Sequence, residues 1–489
     1  MDLQPGLTPE ETLDPQDWEA MRALGYRMVN DMLDYLENVR ERPVWQPIPQ
    51  EVKQHFKRPL PEEPQPAEAV YQEFLENVLP HPMGNIHPRF WGWVMGNGTV
   101  LGMLAEMLAA GMNPNLGGGN QVAVQVEAQV IEWCRQMLGF PAGASGVLVS
   151  GASMANLVGL AVARHTKAGF DVRRQGLQAG APRLTLYGSV ETHSSIQKAA
   201  ELMGLGEESV RRIPVDQAFQ IDVAALERAL QQDRANGCRP FCVVGNAGTV
   251  NTGAFDDLPA LADICQREGL WFHVDGAFGA LAALSPNLKG LVAGMERADS
   301  LAFDLHKWLY MPFEIGCILV RREEDHRRTF SLTPEYLAHG GERGLASGSH
   351  WFSDYGVQLT RGFRALKAWM SLKEHGVQKY GRLIQQNVDQ ARYLAGLVDA
   401  TPALEQIAPV PLNIVCFRYN PGGLDEPALN QLNQELLVRL HESGVAVPTY
   451  TTLNSQYTLR AAITNHRSRR ADFDLLVREV ARLGQELVP

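Results

Sequence analysis

Between residues 147 and 320, short apolar runs alternate with stretches of helical periodicity, and that alternation restricts the chain to an α/β domain with a mostly parallel central sheet. Parallel strands cannot be joined by tight turns; each needs a long crossover, which the intervening helices supply. The candidate strands are Val147–Ser150, Arg183–Tyr187, Phe241–Gly245, Leu270–Val274, Ser300–Phe303 and Ile315–Val320, and the candidate helices are Ala155–Lys167, Ser194–Met203, Val223–Gln232 and Leu258–Glu268. In open sheets of this kind ligands sit beyond the carboxyl ends of the strands. The polar residues just past each apolar run are therefore the candidates for function.

A chain of 489 residues is too long for one core, so flanking domains are expected. Residues 1–95 read as an N-terminal helical arm. Apolar residues recur at helical spacing from Asp17 to Arg40, a second helix fits Ala67–Leu79, and Pro43–Pro66 between them holds too many prolines for a regular element. Two helices joined by an extended arm bury little alone, so the arm is expected to clasp a partner subunit. Residues 96–365 form the large α/β domain. Within it the stretch at about residues 321–350 turns charged and glycine-rich without periodicity, which makes it the expected lid. A helix from about Arg361 to Glu374 leads into residues 366–489, a small α+β domain with strands near Ile414–Tyr419 and Thr458–Ile463 and a terminal helix, Asp472–Leu483.

Composition removes several classes of function. A net charge of −11 without basic stripes argues against a nucleic-acid partner. The longest apolar stretch, Val100–Met112, is interrupted by Glu106 and too short to span a bilayer, and no signal peptide is expected at the start. Cys134, Cys238, Cys242, Cys265, Cys317 and Cys416 have neither zinc-site spacing nor disulfide density. They read as the reduced thiols of a cytoplasmic protein with no metal site.

The chemistry concentrates at two neighbouring strand ends. One apolar run ends in Asp275-Gly276-Ala277 and the next in Asp304-Leu305-His306-Lys307-Trp308, with Lys307 32 residues after Asp275. A lysine leaving a buried strand is costly unless it is paired, deprotonated or covalently engaged. Schiff-base formation with pyridoxal phosphate (PLP) supplies the last of these. A carboxylate against the pyridine nitrogen keeps that nitrogen protonated, which carbanion stabilisation requires. Taken singly, Asp275 reads equally as a helix cap and Lys307 as a loop lysine; together they read as the acid and the imine lysine of one cofactor, with Ala277 beside the acid.

The cofactor's phosphate needs backbone donors at a helix start and a hydroxyl, which Ser150-Gly151-Ala152-Ser153 offers, and His306 adds a donor. There is no Walker sequence and no strand-borne G-x-G-x-x-G, so a nucleotide is a poorer candidate. His193 follows the strand Arg183–Tyr187, where an aromatic ring would stack on the cofactor plane. Thr249 follows another strand and is read as a partner for the cofactor's ring hydroxyl or the substrate. A core histidine and a turn threonine are the plain alternatives for these two.

The stretches Ile86-His87-Pro88-Arg89-Phe90, Val149-Ser150-Gly151-Ala152-Ser153-Met154-Ala155-Asn156, His193-Ser194-Ser195-Ile196-Gln197-Lys198-Ala199, His273-Val274-Asp275-Gly276-Ala277 and His306-Lys307-Trp308 resemble the group II PLP-dependent amino-acid decarboxylases. That family includes aromatic-L-amino-acid, glutamate and cysteine sulfinate decarboxylases, and the match runs from about residue 17 to the C-terminus. The resemblance implies the PLP-dependent type I aminotransferase fold and an obligate homodimer with shared active sites and the arm wrapped on the partner. It implies Lys307 as the Schiff-base lysine, Asp275 as partner of the pyridine nitrogen, His193 as the stacking ring, and Ala152, Ser153 and His306 as the phosphate holders. Pro334-Glu335-Tyr336-Leu337-Ala338-His339 resembles the family's mobile catalytic loop, whose tyrosine protonates the α-carbon after carbon dioxide leaves. Tyr336 is accordingly the expected proton donor.

For the substrate the signals diverge. Trp93 and Met95 favour a flat apolar side chain, while the polar, glycine-rich stretch around Asn115 departs from the apolar wall of aromatic decarboxylases. Arg460 resembles the arginine that glutamate decarboxylases use near the substrate carboxylate, but aromatic decarboxylases have one there too. Asp304-Leu305 stands where aromatic decarboxylases usually have Asn-Pro; an acid repels a phosphate, so Asp304 is not expected to touch it. The expected reaction is α-decarboxylation of an L-amino acid to its amine, aromatic ahead of acidic. Aldehyde formation or transamination on the same scaffold is the alternative. A non-catalytic scaffold is the third reading, against which an intact Lys307, Asp275 and His193 speak.

Overall fold

The computed structural model describes residues 11–177, 181–332, 343–348 and 350–488. The chain divides into two compact units, Met1–Pro43 with Pro47–Met83, and Val44–Gln46 with Gly84–Pro489. In the first, Asp17 caps the helix Trp18–Glu37 by accepting from the backbone N–H groups of Glu19 and Ala20. The helix Ala67–Asn77 joins it through Tyr71, whose hydroxyl donates to Asp31 at 2.7 Å, and through Glu68, which meets Arg27 at 2.6 Å. The proline-rich connector is more regular than expected. It holds a helix, Gln50–His55, that starts just after Pro49, where a missing backbone donor costs nothing.

The second unit carries the strands β1 (Phe90–Trp91), β2 (Ser145–Val149), β3 (Leu184–Ser189), β4 (Val210–Ile213), β5 (Arg239–Asn246) and β6 (Trp271–Asp275). They are followed by β7 (Ser300–Asp304), β8 (Gly316–Val320), β9 (Leu404–Gln406), β10 (Ile414–Tyr419), β11 (Val447–Leu453) and β12 (Gln456–Ala462). Seven form the main sheet in the order β2-β8-β7-β6-β5-β3-β4, parallel except for β8, which runs against both its neighbours. Every residue of β6, β7 and β8 is buried, so both faces of the sheet are covered, as continuous apolar runs require. The helix Ala152–Lys167 packs across β5 to β8, while Leu258–Glu268 packs on β5 and β6.

The second sheet, β1-β11-β12-β10-β9, is antiparallel apart from the β1–β11 pair and has its own core around Phe417, Leu436, Leu459 and Phe473. Several elements escaped the sequence reading, among them the helix Val122–Met137 and the strand β11. The strand β4, Val-Arg-Arg-Ile, is polar because it lies at a sheet edge, where charged side chains are tolerated. The helices Val377–Asp399 and Glu426–Glu442 were hidden in the C-terminal region, whose strands were the stronger signal. The expected lid is also partly regular, since Glu323–Phe330 is a helix; Tyr336 lies outside the described residues.

One buried ion pair pins the main sheet to its surroundings. Arg361 and Glu127 are both almost fully buried; the guanidinium also donates to the carbonyls of Leu116 (2.9 Å) and Leu148 (2.6 Å), and Glu127 accepts from the N–H of Leu148. Removing one partner of such a pair strands a charge. Glu127→Ala should therefore lower the unfolding free energy by roughly 3–5 kcal/mol in denaturant titrations, and the double variant Glu127→Leu/Arg361→Met by much less.

Candidate active site

The carboxyl ends of β2, β3, β5, β6 and β7 open onto one cavity of about 510 Å³. Its lining includes Ala152, Ser153, His193, Thr249, Asp275, Ala277, His306 and Lys307, together with Trp93 and Met95. Chain topology accounts for the convergence: parallel strands deliver their C-terminal residues to the same side of the sheet. β6 and β7 pair with Asp275 opposite Ala302, and Lys307 stands in the short helix Leu305–Trp308 just beyond β7. The chain Trp93–Met95 closes the opposite side. It approaches so closely that a side chain at Gly96 would meet the carbonyl oxygen of His306 at 1.5 Å.

Asp275 is 6% exposed and held by a connected set of hydrogen bonds. Trp271 Nε1 donates to Ser300 Oγ (2.8 Å), Ser300 donates to His273 Nδ1 (2.7 Å), and His273 Nε2 donates to Asn156 Oδ1 (2.9 Å). Asn156 Nδ2 then donates to Asp275 Oδ2 (2.8 Å) and Ser195 Oγ (3.0 Å), and Ser195 donates to His193 Nδ1 (2.8 Å). The Asp275 carboxylate can only accept, so Asn156 turns its amide N–H to it and its oxygen to His273 Nε2–H, which leaves Nδ1 of the neutral ring to accept from Ser300. His193 Nδ1 also accepts the Ser195 backbone N–H at 3.2 Å, so its proton resides on Nε2. Burial pushes the His193 pKa below its ordinary value against the opposing pull of Asp275, and the ring is neutral at pH 7. Asn156 was quoted in a sequence stretch but given no role. Its placement four residues into a helix that starts at a strand end was the available signal.

The N-terminus of Ala152–Lys167 faces the cavity, three residues earlier than the periodicity placed it, with Gly151 rather than Ser153 as its cap and no side chain capping it. Such an end is an anion site. His306 Nδ1 accepts the Ile315 N–H at 3.2 Å, which leaves its Nε2 proton as a further donor. Asp304 is 1% exposed; Oδ2 lies 2.9 Å from Lys307 Nζ and Oδ1 has no hydrogen-bond partner. The free helix end, the buried carboxylate and a lysine with its own counter-ion fit a phosphate-bearing pyridine aldehyde: the helix end would take the phosphate, Asp275 the ring nitrogen and Lys307 the aldehyde carbon. Thr249 lines the cavity, but its Oγ1 already accepts the Ala254 N–H at 3.1 Å and lies 3.1 Å from Thr252 Oγ1.

Two expected substrate contacts do not reach this cavity within one chain. Arg460 is buried among backbone carbonyls: it donates to those of Asn251 (3.1 Å), Trp93 (2.8 Å) and Val250. It is a brace that ties together three cavity-lining segments, and it holds Trp93 in a left-handed backbone conformation (φ 48°) that a bulky residue rarely adopts. Asn115 is exposed, and its Oδ1 accepts the N–H groups of Gly117 and Arg361 at 3.0 Å each. Among the described residues no cluster suited to a metal ion occurs, and no helix is long and apolar enough to cross a membrane.

The buried histidine of this network gives a pH signature. Burial holds His273 down at about 4, so the unfolded chain takes up a proton below its ordinary value of 6.5 that the folded chain refuses. Stability is thus complete above pH 6.5 and falls as the pH drops towards 4. Urea midpoints measured across that window should decline, and less steeply in His273→Gln.

The comparisons with known proteins agree with this geometry. Residues 49–420 match the pyridoxal-dependent decarboxylase conserved domain. The chain is 33% identical to an aromatic-L-amino-acid decarboxylase of Bacillus atrophaeus over 96% of each sequence. Oryza sativa TDC, solved with PLP and tryptamine, superposes with a TM-score of 0.89 at 26% identity, covering 98% of this chain and 100% of that one. Mouse CSAD superposes with a TM-score of 0.89 at 27% identity, covering 96% and 99%. The chain belongs to the pyridoxal-dependent decarboxylase family, and is a PLP-dependent amino-acid decarboxylase.

Proposed function

We propose that this enzyme removes the α-carboxyl group of an aromatic L-amino acid, releasing the amine and carbon dioxide. The observation that carries the aromatic preference is the placement of Arg460, which lies outside the cavity lining and directs its guanidinium to the carbonyls of Asn251, Trp93 and Val250 and to Thr449 Oγ1. Lys307 is the one lysine or arginine lining the cavity among the described residues, and it is reserved for the cofactor. Trp93, Val94, Met95, Val250 and Phe278 supply flat apolar walls instead. The aromatic-L-amino-acid decarboxylase relative and the TDC structure with tryptamine support the same reading.

Bound PLP supplies an imine carbon and a protonated ring that accepts the electron pair left when the carboxyl group departs. The chain's own residues do the rest. Lys307 would bind the cofactor's aldehyde carbon, and Asp304, 2.9 Å from its Nζ, would be the counter-ion of its ammonium. Asp275, oriented by Asn156, keeps the ring nitrogen protonated. His193 stacks on the cofactor plane as a neutral ring, and Ala152, Ser153 and His306 hold the phosphate. Tyr336, on the 321–350 lid, delivers a proton to the α-carbon.

The working unit in this proposal is a homodimer in the cytoplasm. Trp18, Tyr26, Phe56 and Leu60 of the N-terminal unit are 60–84% exposed, apolar surface that a second copy would cover. Asn115, which lies off its own chain's cavity, is assigned to the partner's. All six cysteines are unpaired, as in a reducing compartment.

A carbon-dioxide release screen across the common L-amino acids tests the reading, with turnover expected for aromatic and not acidic substrates. Preferred release from glutamate, aspartate or cysteine sulfinate would contradict it. Tyr336→Phe should cut amine formation by about 10²-fold or more and divert product to an aldehyde and ammonia under air. An unchanged amine yield would assign the proton to another group.

A further inference from the structure

Glu191 is an acid inside the cavity that the proposed reaction does not use. It sits two residues before His193, on the turn after β3, and lines the same space as Lys307, Trp93, Thr249 and Val250. Its Oε2 accepts from Asn251 Nδ2 at 2.9 Å. Asn251 cannot turn away, because its Oδ1 accepts from Thr451 Oγ1 at 2.9 Å and its carbonyl accepts from Arg460 Nε at 3.1 Å. The brace that withholds Arg460 from the substrate thus also fixes the amide that aims Glu191. A carboxylate positioned this firmly, with one amide donor and no cation beside it among the described residues, is under-compensated where it stands. Burial accordingly pushes its pKa up, with the Asn251 contact only partly opposing. The other carboxyl groups around the cavity are Asp275, Asp304 and Glu314, each with a partner of its own.

We propose that Glu191 is a specificity-determining residue: its carboxyl group, aimed by Asn251, accepts a hydrogen bond from a donor on the substrate's ring, selecting aromatic amino acids with a phenolic hydroxyl or indole N–H over those with a bare ring. This rests on the aromatic reading of the cavity and narrows it. A ring donor meets the unfilled demand of the carboxylate, whereas a bare ring leaves a desolvated acceptor unpaired when water is expelled. A substrate carboxylate would place two acids against each other with one proton to share.

The test compares kcat/KM for L-tyrosine, L-tryptophan and L-phenylalanine in the wild-type holoenzyme, Glu191→Gln and Asn251→Ala. Calorimetric binding of the product amines 4-hydroxyphenethylamine and phenethylamine serves as a readout independent of turnover. The wild type should favour a donor-bearing ring over the bare one by roughly ten- to a hundredfold, the span of one hydrogen bond to a charged acceptor. Glu191→Gln should reduce that preference to within a few-fold while retaining turnover of L-phenylalanine, and 4-hydroxyphenethylamine should lose its binding advantage. Asn251→Ala, which frees the carboxyl group without removing it, should fall between. Turnover of all three with the same ratios in wild type and Glu191→Gln overturns this inference alone. Release of carbon dioxide from none of the three overturns the aromatic reading and this inference with it.

Discussion

A carboxylate at the end of a buried strand has to be stabilised by fixed donors, and the arrangement around Asp275 follows from that need. Only 6% of Asp275 is exposed, so Asn156 and the Ala277 N–H supply the donors that bulk water would otherwise provide. Asn156 donates to Asp275 because His273 occupies its carbonyl oxygen, and His273 is oriented by Ser300, which Trp271 fills in turn. Three of these residues belong to β6 or β7, so the sheet itself sets the orientation of the acid. The same asparagine reaches His193 through Ser195. One amide therefore positions both Asp275, assigned to the cofactor's ring nitrogen, and His193, assigned to stack on the ring, and in that proposal it couples charge and stacking geometry.

The second dependence is on how parallel strands are connected. Because β3, β5, β6 and β7 all run the same way, the residues leaving them gather at one edge without any local sequence proximity. β8 returns antiparallel beside β7, and its first residue, Gly316, packs against Asp304 and Gly151 so closely that a side chain there would lie 2.6 Å from the Asp304 carboxylate. Small residues at 151 and 316 are what let the free end of the helix Ala152–Lys167, Asp304 and Lys307 occupy one corner. The small domain closes the opposite side through Arg460, a buried cation that donates to three backbone carbonyls and to Thr449 Oγ1, and whose effect is to hold Trp93, Val250 and Asn251 in register.

How far the sequence could be read follows from where its signals are local. The main-sheet strands other than β4 were legible because runs buried on both faces are continuously apolar, and the helix Leu258–Glu268 fell at its predicted bounds because Asp257 caps it and a glycine ends it. That Asp275 and Lys307 line one cavity was legible from neighbouring strand ends. What stayed hidden depends on three-dimensional company. The edge strand β4 carries two arginines, and Asn156 acts only through partners about 40 and 120 residues away. Arg460 shows the converse error: a motif likeness suggested a substrate contact, and only the positions of three carbonyls reveal what the guanidinium touches. Glu191 stands two residues before His193, but nothing in sequence says that Asn251 holds it.

The account stands on Lys307 as the residue that bonds the cofactor. Borohydride reduction of the PLP-loaded enzyme, followed by peptide mapping by mass spectrometry, examines this directly, since reduction makes the imine permanent. The pyridoxyl phosphate mass should appear on the peptide carrying Lys307 and on no other lysine, and the visible imine band should vanish with the reduction. A label on a different lysine, or a reduced enzyme with no label, would contradict the assignment on which the rest of the site is built.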